Sequence, residues 1–202
     1  MCSSDLNVFF AAAPDFKSRR LTNFLTDDGT DLTNVEISDD GSVVVFIRGS
    51  APNREGWVAN PSADPNGAER AIWAVKTAGG PAWRVAEGSN PELSPDGKWV
   101  LFVKDGQIFR AAVDKAAQTD SMSRGLKPFI KEWGAQSSPR WSPDGARIAF
   151  QTNRNDHSFI AIYDVKKRTV RYVAPFVDFD LSPTWSADSR QDRKSTRLNS
   201  SH

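Results

Sequence analysis

One four-residue turn sequence recurs along this chain, and it constrains the fold more than any other feature. Ser-Pro-Asp-Gly at residues 94–97 returns at residues 142–145, and each copy is followed by an apolar run that ends in phenylalanine. A diverged copy begins at Ser38 and a fourth at Ser186, so the four serines lie 56, 48 and 44 residues apart. One tight hairpin per repeat of this length is the sequence signature of β-propeller blades.

The turn and the strand that follows it have a physical basis. Proline presets φ at the second turn position, aspartate tolerates the third, and glycine supplies the positive φ of the last. The following strands, such as residues 43–47 (Val-Val-Val-Phe-Ile) and 99–103 (Trp-Val-Leu-Phe-Val), are apolar at nearly every position. Continuous apolar runs indicate strands covered on both faces, as in a blade packed between two others.

A second hairpin follows in each copy and brings the strand count to four per blade. It is clear at residues 71–85 and 159–173, whereas the second copy predicts a third strand over residues 107–113 and a fourth over 126–133. The chain is therefore predicted to be all-β: an incomplete β-propeller of four-stranded blades, with about three blades and the start of a fourth. An antiparallel sandwich with several hairpins is the alternative, and the matched copies favour the propeller.

Both ends of the chain read as translated sequencing adapters. Residues 192–202 back-translate, codon by codon, into a common short-read sequencing adapter, and residues 1–6 into the end of the opposite adapter. Scars of this kind are excluded from fold reasoning, so the predicted domain is a partial propeller over residues 7–191. A natural polar tail, of the sort that is usually disordered, is the alternative.

Charge, cysteine and histidine content exclude several functions. The whole chain has a formal net charge of +1, and without its two ends the basic and acidic residues balance. A neutral chain carries no electrostatic footprint for nucleic acid or an anionic membrane. The one cysteine, Cys2, lies in the N-terminal scar, and His157 is the only histidine of residues 7–191, so neither a disulfide nor a multi-histidine zinc site is expected. The apolar runs are too short to span a membrane, and no cofactor is expected.

Candidate binding residues lie in a loop of the third blade. Residues 153–158 join its second and third strands, and there Arg154, Asp156 and His157 are candidates to hydrogen-bond a peptide or contact a neighbouring domain. The alternative is that the Asn, Asp and Ser side chains cap their own backbone while His157 packs locally. The long loop over residues 49–70 is either functional or a flexible excursion, with Trp57 as an anchor against the body.

Two further residue sets are explained by the fold. The aspartates at the turns belong to different blades, which favours a turn role over a carboxylate metal site; they are Asp39, Asp40, Asp96 and Asp144. Tryptophans at strand and pre-turn positions are predicted to be inter-blade core rather than an aromatic platform; they are Trp73, Trp83, Trp99, Trp141 and Trp185.

Two stretches carry a family resemblance. They are Pro-Asp-Phe-Lys at residues 14–17 and Asn-Arg-Asn-Asp-His-Ser-Phe-Ile at residues 153–160, whereas Trp-Ser-Pro-Asp-Gly at residues 141–145 is shared with many propellers, including Tol-type periplasmic ones. With them, the chain resembles the N-terminal propeller of the prolyl oligopeptidase family of serine peptidases, in its bacterial dipeptidyl-peptidase-IV-like branch. The resemblance covers essentially all of residues 7–191.

The resemblance implies a secreted or periplasmic exopeptidase whose propeller controls which peptides reach a C-terminal α/β-hydrolase domain. The implied partners are that domain and the peptide substrate. No catalytic residue is carried over, because this sequence has no Gly-x-Ser-x-Gly nucleophile elbow, so the chain itself is expected to be inactive although its parent is an enzyme. The paired glutamates that hold a substrate amino terminus in dipeptidyl peptidases have no match either, since every glutamate is isolated in the sequence. A Tol-type periplasmic propeller that binds protein or ligand without catalysis is the alternative.

Overall fold

The structure is a computed structural model that describes residues 7–24, 30–60, 63, 65, 67, 68, 70–114, 116, 127–173, 179–189 and 192–197. The elements whose bounds it describes are all β-strands. In chain order they are β1 (Phe9–Ala11), β2 (Ser18–Arg20), β3 (Leu32–Ile37), β4 (Val43–Arg48), β5 (Ala71–Lys76), β6 (Trp83–Ala86), β7 (Ser89–Leu93), β8 (Trp99–Lys104), β9 (Gln107–Ala112), β10 (Ala135–Trp141), β11 (Arg147–Asn153), β12 (Ser158–Asp164), β13 (Thr169–Val173), β14 (Phe179–Trp185) and β15 (Asp192–Arg197).

The strands form antiparallel meanders that correspond to the predicted blades. Blade 1 has the order β3-β4-β5-β6, blade 2 the order β7-β8-β9, and blade 3 the order β10-β11-β12-β13. Strands β14 and β15 form the start of blade 4, and one parallel strand pair, Phe179 with Ser158, links it to the sheet of blade 3. A separate hairpin, β1–β2, precedes blade 1. The predicted all-β fold with blades is confirmed.

Strand β4 shows why the apolar runs are continuous. Every residue from Val43 to Ile47 is buried. Val45 packs in the core that includes Phe102 of blade 2, whereas Phe46 packs in a second core with Val8, which lies just before β1. Successive side chains of a strand point to opposite faces, so a strand that is covered on both sides needs an apolar residue at each position. The predicted two-sided cover is confirmed.

The first turn of each blade uses one hydrogen-bond pattern. The serine hydroxyl donates to the turn aspartate at 2.6 Å in four pairs, Ser38–Asp40, Ser94–Asp96, Ser142–Asp144 and Ser186–Asp188. In the first three copies the serine oxygen also accepts an amide at the start of the next strand, at 2.9 to 3.1 Å. The hydroxyl bond lowers the pKa of Asp96 and Asp144 and holds the pKa of Asp40 at about 2. These three carboxylates are therefore engaged within their own turns.

Blade 2 departs from the prediction at its outer edge. A fourth strand is predicted over residues 126–133, but the described part of that segment pairs at a single bridge between Ile130 and Ile108. The amides of Phe129 and Ile130 both donate to the Ile108 carbonyl, at 2.8 and 3.1 Å. Pro128 has no amide with which to extend the ladder, so the outer strand is reduced to this contact.

The first turns of the blades share one side of the molecule, which we call the turn face. A Cβ added to Gly97 in the blade 2 turn would lie 3.2 Å from Cβ of Ser38 in the blade 1 turn. The Asp144 amide of the blade 3 turn donates to the Ser189 hydroxyl of the blade 4 turn at 3.1 Å. Because neighbouring strands of a blade are antiparallel, the loops between second and third strands lie on the opposite side, which we call the loop face.

Strand β15 falls within the segment that is predicted to be an adapter. It pairs with β14 in antiparallel register, from Trp185 with Asp192 to Phe179 with Arg197. Its residues, Asp-Arg-Lys-Ser-Thr-Arg, include no apolar side chain, unlike the second strand of each other blade. That residues 192–202 are an adapter stays a prediction; residues 1–6 and 198–202 lie outside the described residues.

The tryptophans divide into core and surface positions. Trp83 and Trp141 pack against the cores between blades, and Trp73 packs against the core beside the β1–β2 hairpin. Trp57 does not anchor its loop, because the residue is 74% exposed. The turn around Asn53, whose Oδ1 accepts the Trp57 amide at 2.9 Å, holds this part of the loop instead. The anchor prediction for Trp57 is therefore wrong.

Candidate functional site

The loop over residues 153–158 is closed by its own main chain. The Arg154 amide donates to the His157 carbonyl at 2.9 Å, and the Asp156 amide donates to the Arg154 carbonyl at 2.8 Å. Ser158 is buried, and its hydroxyl donates to the Asp180 carbonyl of blade 4 at 2.7 Å. Main-chain hydrogen bonds and a contact between blades thus shape this loop, together with the packing of His157 against Phe159.

Arg154 lies in a box of aromatic rings. Its guanidinium carbon is 4.8 Å from the ring centroid of Trp133, 5.3 Å from that of Tyr172 and 5.4 Å from that of Phe159. Its Nη2 donates to the Tyr172 hydroxyl at 2.8 Å, and that hydroxyl donates to Glu132 Oε2 at 2.9 Å. A contact of a cation with a ring face stabilises by about 0.5–1 kcal/mol at exposed sites and by more when desolvated. The guanidinium is therefore held in one orientation.

The polar groups of the box remain in defined states. Burial, followed by the hydrogen bond to Glu132, raises the pKa of Tyr172, so the hydroxyl keeps its proton and can continue to donate. The Nε of Arg154 is buried and has no hydrogen-bond partner. A buried donor of this kind costs about 1–3 kcal/mol. The fold therefore keeps this guanidinium in place at some cost to stability.

Trp133 is an exposed side chain on a fixed backbone. Its side chain is 75% exposed, while its carbonyl accepts the Thr152 hydroxyl at 2.7 Å. The next residue, Gly134, has φ of 85°, and a Cβ added there would lie 2.1 Å from the Asn153 carbonyl oxygen. Only glycine fits so close an approach of two chain segments. The indole is therefore presented to solvent from a rigid support, with the Arg154 guanidinium beside it.

Asp156 and His157 form a pair next to the aromatic box. Asp156 Oδ1 lies 2.6 Å from His157 Nδ1, and the Asp156 side chain is 80% exposed. The His157 ring centroid is 4.7 Å from that of Phe159, which also contacts Arg154. Because Asp156 engages Nδ1, Nε2 is the ring nitrogen of His157 that could hydrogen-bond a ligand.

The structure thus brings the three predicted residues into one cluster on the loop face. We call it the loop-face cluster, and its members are Glu132, Trp133, Arg154, Asp156, His157, Phe159 and Tyr172. The first two of these and the last two are missing from the sequence-based prediction. The position of Trp133 could have been predicted, because Trp133 comes just before the first strand of blade 3. In an antiparallel blade, the start of the first strand lies at the same end as the loop between the second and third strands. The cluster offers an apolar stacking surface, a cation, a carboxylate and an imidazole within one small area.

A second feature repeats in the innermost strand of every blade. Each of β3, β7, β10 and β14 shifts register against its partner at the same place. The residues with φ of 49° to 53° at these shifts are Asn34, Asn90, Ser138 and Ser182. A β-bulge of this kind re-aims the side chains that follow it. Proline follows the left-handed residue in three of the four copies, so an Asn/Ser-Pro pair marks the bulge in the sequence.

The bulges aim charged side chains at the next blade. Glu36 Oε2 accepts the Leu93 amide at 3.1 Å, and Glu92 Oε1 accepts the Trp141 amide at 3.3 Å. Glu92 also forms a salt bridge with Arg140. Although Glu36 and Glu92 are isolated in the sequence, they occupy equivalent positions of adjacent blades and line one groove of about 230 Å³. The glutamates are isolated in the sequence, and the fold brings Glu36 and Glu92 together.

The environment of this groove raises the pKa of both carboxyl groups. Burial, followed by the Glu92 charge, raises the pKa of Glu36 from 4.5 to about 7. Burial also raises the pKa of Glu92, and the Arg140 guanidinium offsets part of that effect. Glu36 therefore exchanges its proton close to neutral pH.

Neither a metal centre nor a membrane helix is found in the described part of the chain. The described residues contain no group of three or more His, Cys, Asp or Glu side chains placed to hold a metal ion. They also contain no helix with the length and apolar character needed to cross a membrane.

Comparison with known proteins identifies the fold. No protein-family model matches the chain, and no curated protein matches it by sequence. Among solved structures, TolB from Acinetobacter baumannii is similar with a TM-score of 0.64 and 19% identity, over 96% of this chain and 44% of that one. A puromycin-hydrolysing peptidase of Mycobacterium tuberculosis has a TM-score of 0.62 and 16% identity, over 96% and 33%. Dipeptidyl peptidase 4 of Porphyromonas gingivalis has a TM-score of 0.60 and 14% identity, over 96% of this chain and 34% of that one.

These similarities support the β-propeller fold and no more, because the identities are low. The chain spans less than half the length of each of these three solved chains. Propellers of the Tol type and of peptidases are both among its structural neighbours.

Proposed function

We propose that this chain is the non-catalytic propeller of a secreted or periplasmic serine exopeptidase, where it gates peptide access to a C-terminal α/β-hydrolase domain. The loop-face cluster carries the proposal. Its loop, residues 153–160, is the stretch that most resembles the dipeptidyl-peptidase-IV-like branch, and it is also a rigid, chemically mixed surface. The peptidases among the structural neighbours agree with this proposal at the level of fold.

The cluster is suited to an extended peptide. The exposed indole of Trp133 offers a stacking surface for an apolar side chain, and a fixed side chain loses little entropy on binding. Arg154 supplies a cation for a main-chain carbonyl or a carboxylate, and the exposed Asp156 carboxylate supplies an acceptor for an ammonium group. In this proposal His157, oriented by Asp156, adds a hydrogen bond through its outer nitrogen.

Peptide contact can be tested on the chain itself. A dipeptide with proline at its second position is titrated into the 15N-labelled chain, and the amides of residues 153–158 are followed by NMR. Asp156→Asn is expected to weaken binding about tenfold, which corresponds to about 1.4 kcal/mol. Asp164→Asn, at the end of β12 on the turn face, is the matched control and is expected to leave binding unchanged. Equal affinities of Asp156→Asn and the unsubstituted chain would remove Asp156 from the site.

The experiment that tests the whole proposal is to re-read the gene from its source across both ends of this sequence. A frame that continues into a Gly-x-Ser-x-Gly elbow, with Asp and His downstream, is expected for a peptidase. Further Ser-Pro-Asp-Gly blades and a stop codon, without an elbow, would overturn the proposal.

The second candidate is a Tol-type periplasmic propeller that binds protein or ligand without catalysis. The similarity to TolB over 96% of this chain favours it as much as the peptidase similarities favour the first. The same gene reading separates the two, because only a peptidase needs the nucleophile elbow.

A further inference from the structure

Carboxylates connect the inner strands of consecutive blades at the groove lined by Glu36 and Glu92. Glu36 of β3 accepts the amide of Leu93 in β7, and Glu92 of β7 accepts the amide of Trp141 in β10. Both glutamates come two residues after the left-handed residue of their bulge. The contact is therefore a repeated device and not an accident of one strand.

The last blade junction uses a different group. Arg140 occupies the position that the two glutamates have in the earlier blades, and a guanidinium cannot accept a hydrogen bond from a backbone amide. At this junction Trp185 Nε1 donates to the Arg140 carbonyl at 3.0 Å instead. Only the junctions of blade 1 with blade 2 and of blade 2 with blade 3 thus depend on a titratable acceptor among the described inner strands.

The charges around the two glutamates do not balance. Strand β3 contributes Glu36, strand β7 contributes Glu92, and strand β10 contributes Arg140, which pairs with Glu92. Asp39 lines the same groove from the turn after β3. In the described residues, Arg140 is thus the one cation acting on two carboxylates that repel each other. When both glutamates are ionised, their repulsion pushes Glu36 away from blade 2. It therefore opposes the hydrogen bond between the Glu36 carboxylate and the Leu93 amide.

We propose that Glu36 is a proton-sensitive brace of the propeller wall, which holds blades 1 and 2 together when it is protonated and loosens their junction when it ionises. The Leu93 amide bond by itself lowers the pKa of Glu36, but burial and the Glu92 charge outweigh it. A protonated carboxyl still accepts a hydrogen bond from the Leu93 amide through its carbonyl oxygen, and it no longer repels Glu92. The brace concerns only the junction between two blades, so it does not depend on whether the chain serves a peptidase or a binding protein.

The direction of the pH effect follows from proton linkage. The pKa of Glu36 is higher in the folded chain, at about 7, than its ordinary value of 4.5. The folded state therefore binds the proton more tightly, and the stabilisation is fully present below the unfolded value. It is lost as the pH rises from 4.5 through about 7.

NMR of the full 15N-labelled chain tests the brace. The Leu93 amide is followed from about pH 5 to about pH 8.5, and its resonance is expected to titrate with a midpoint near 7. After correction for the intrinsic pH dependence, its hydrogen exchange is expected to be about tenfold faster at the upper end than at the lower. A midpoint at or below about 5, close to the value of an ordinary glutamate, would overturn the proposal.

Two substitutions assign the effect. Glu36→Gln keeps an oxygen that can accept the Leu93 amide but removes the titration, so the midpoint near 7 is expected to disappear; its persistence would overturn the proposal. Glu92→Gln removes the repelling charge and is expected to lower the midpoint by roughly half a pH unit or more. Asp39→Asn is the comparison in the same groove and is expected to move the midpoint less than Glu92→Gln, because Asp39 is not among the groups that shift the pKa of Glu36. An unchanged midpoint in Glu92→Gln would show that the two glutamates do not act as one unit.

Discussion

Replacement of Gly134 by alanine tests whether close backbone contact holds the connection into blade 3. Gly134 has φ of 85°, and an added Cβ would lie 2.1 Å from the Asn153 carbonyl oxygen. Gly145, in the blade 3 turn, has φ of 68° but nothing within 4 Å of an added Cβ. Both replacements place a Cβ in the left-handed region, and only Gly134→Ala adds a clash with the backbone. Gly145→Ala is therefore the matched control.

The expected magnitudes follow from these two terms. A left-handed conformation costs an L residue about 1–2 kcal/mol, which applies to both variants. Forcing packed groups apart costs a further ~1–3 kcal/mol, which applies to Gly134→Ala alone. The variants are thus expected to differ by about 2 kcal/mol, and in a chain of this length such a difference lowers Tm by about 4–8 °C.

Circular dichroism during heating and in urea measures the difference. A local readout comes from the NMR amides of residues 152–154, which are expected to move in Gly134→Ala and to stay in place in Gly145→Ala. Equal losses of Tm in the two variants would refute the reasoning, because they would show that the segments at Gly134 separate without cost. In that case Gly134 would not give the Trp133 indole a rigid support.

Four other outcomes are expected. Ser142→Ala removes the hydroxyl that closes the blade 3 turn and should cost about 1–2 kcal/mol in urea unfolding, whereas Ser186→Ala, at the equivalent but less buried serine of blade 4, should cost less; equal effects would contradict this. The pKa of Asp40 is lowered from 3.8 to about 2, so the stability from its turn is present above 3.8 and is lost as the pH falls through about 2; an NMR titration of its carboxyl near 3.8 would show otherwise. The chain should associate, because Val35 and Ile37 of β3 are 55% and 48% exposed, whereas Pro91, the equivalent of Val35 in the next blade, is buried. Val35→Glu should reduce the association seen in size-exclusion chromatography; a sharp monomer peak for residues 7–191 would contradict it. The pure chain should not cleave a reporter with proline at its second position, and measurable cleavage would overturn the assignment of catalysis to another domain.

Much of the architecture follows from local sequence. The turn at residues 142–145 closes through the hydroxyl, carboxylate and glycine of its own four residues, so its identity can be read without knowledge of the rest of the chain. The continuous apolar run of β4 predicts cover on both faces, and the structure places one core on each side of it. The turn and the apolar run recur together at the spacing of blades, which favours a propeller over an isolated hairpin. The outer strand of blade 2 was less predictable, because a polar stretch precedes it and Pro128 limits its pairing.

Local sequence was a weaker guide to the candidate site. The loop with Arg154 stands out from its composition, but its partners Trp133 and Tyr172 come from segments on either side of it. Trp57 looks like an anchor in the sequence, yet the structure leaves it exposed. Whether an aromatic side chain is core or surface depends on what packs over it, and that is decided by contacts between segments far apart in the chain.

The sequence by itself determined that the chain builds repeated antiparallel blades, because turns and strand patterns are properties of short segments repeated along it. Only the tertiary structure decided which side chains meet between blades. Glu36 and Glu92 are 56 residues apart and look unrelated until the bulges of two adjacent blades aim them into one groove. Burial and repulsion then make Glu36 sensitive to pH near neutrality, because both effects depend on distances in space rather than on spacing along the chain.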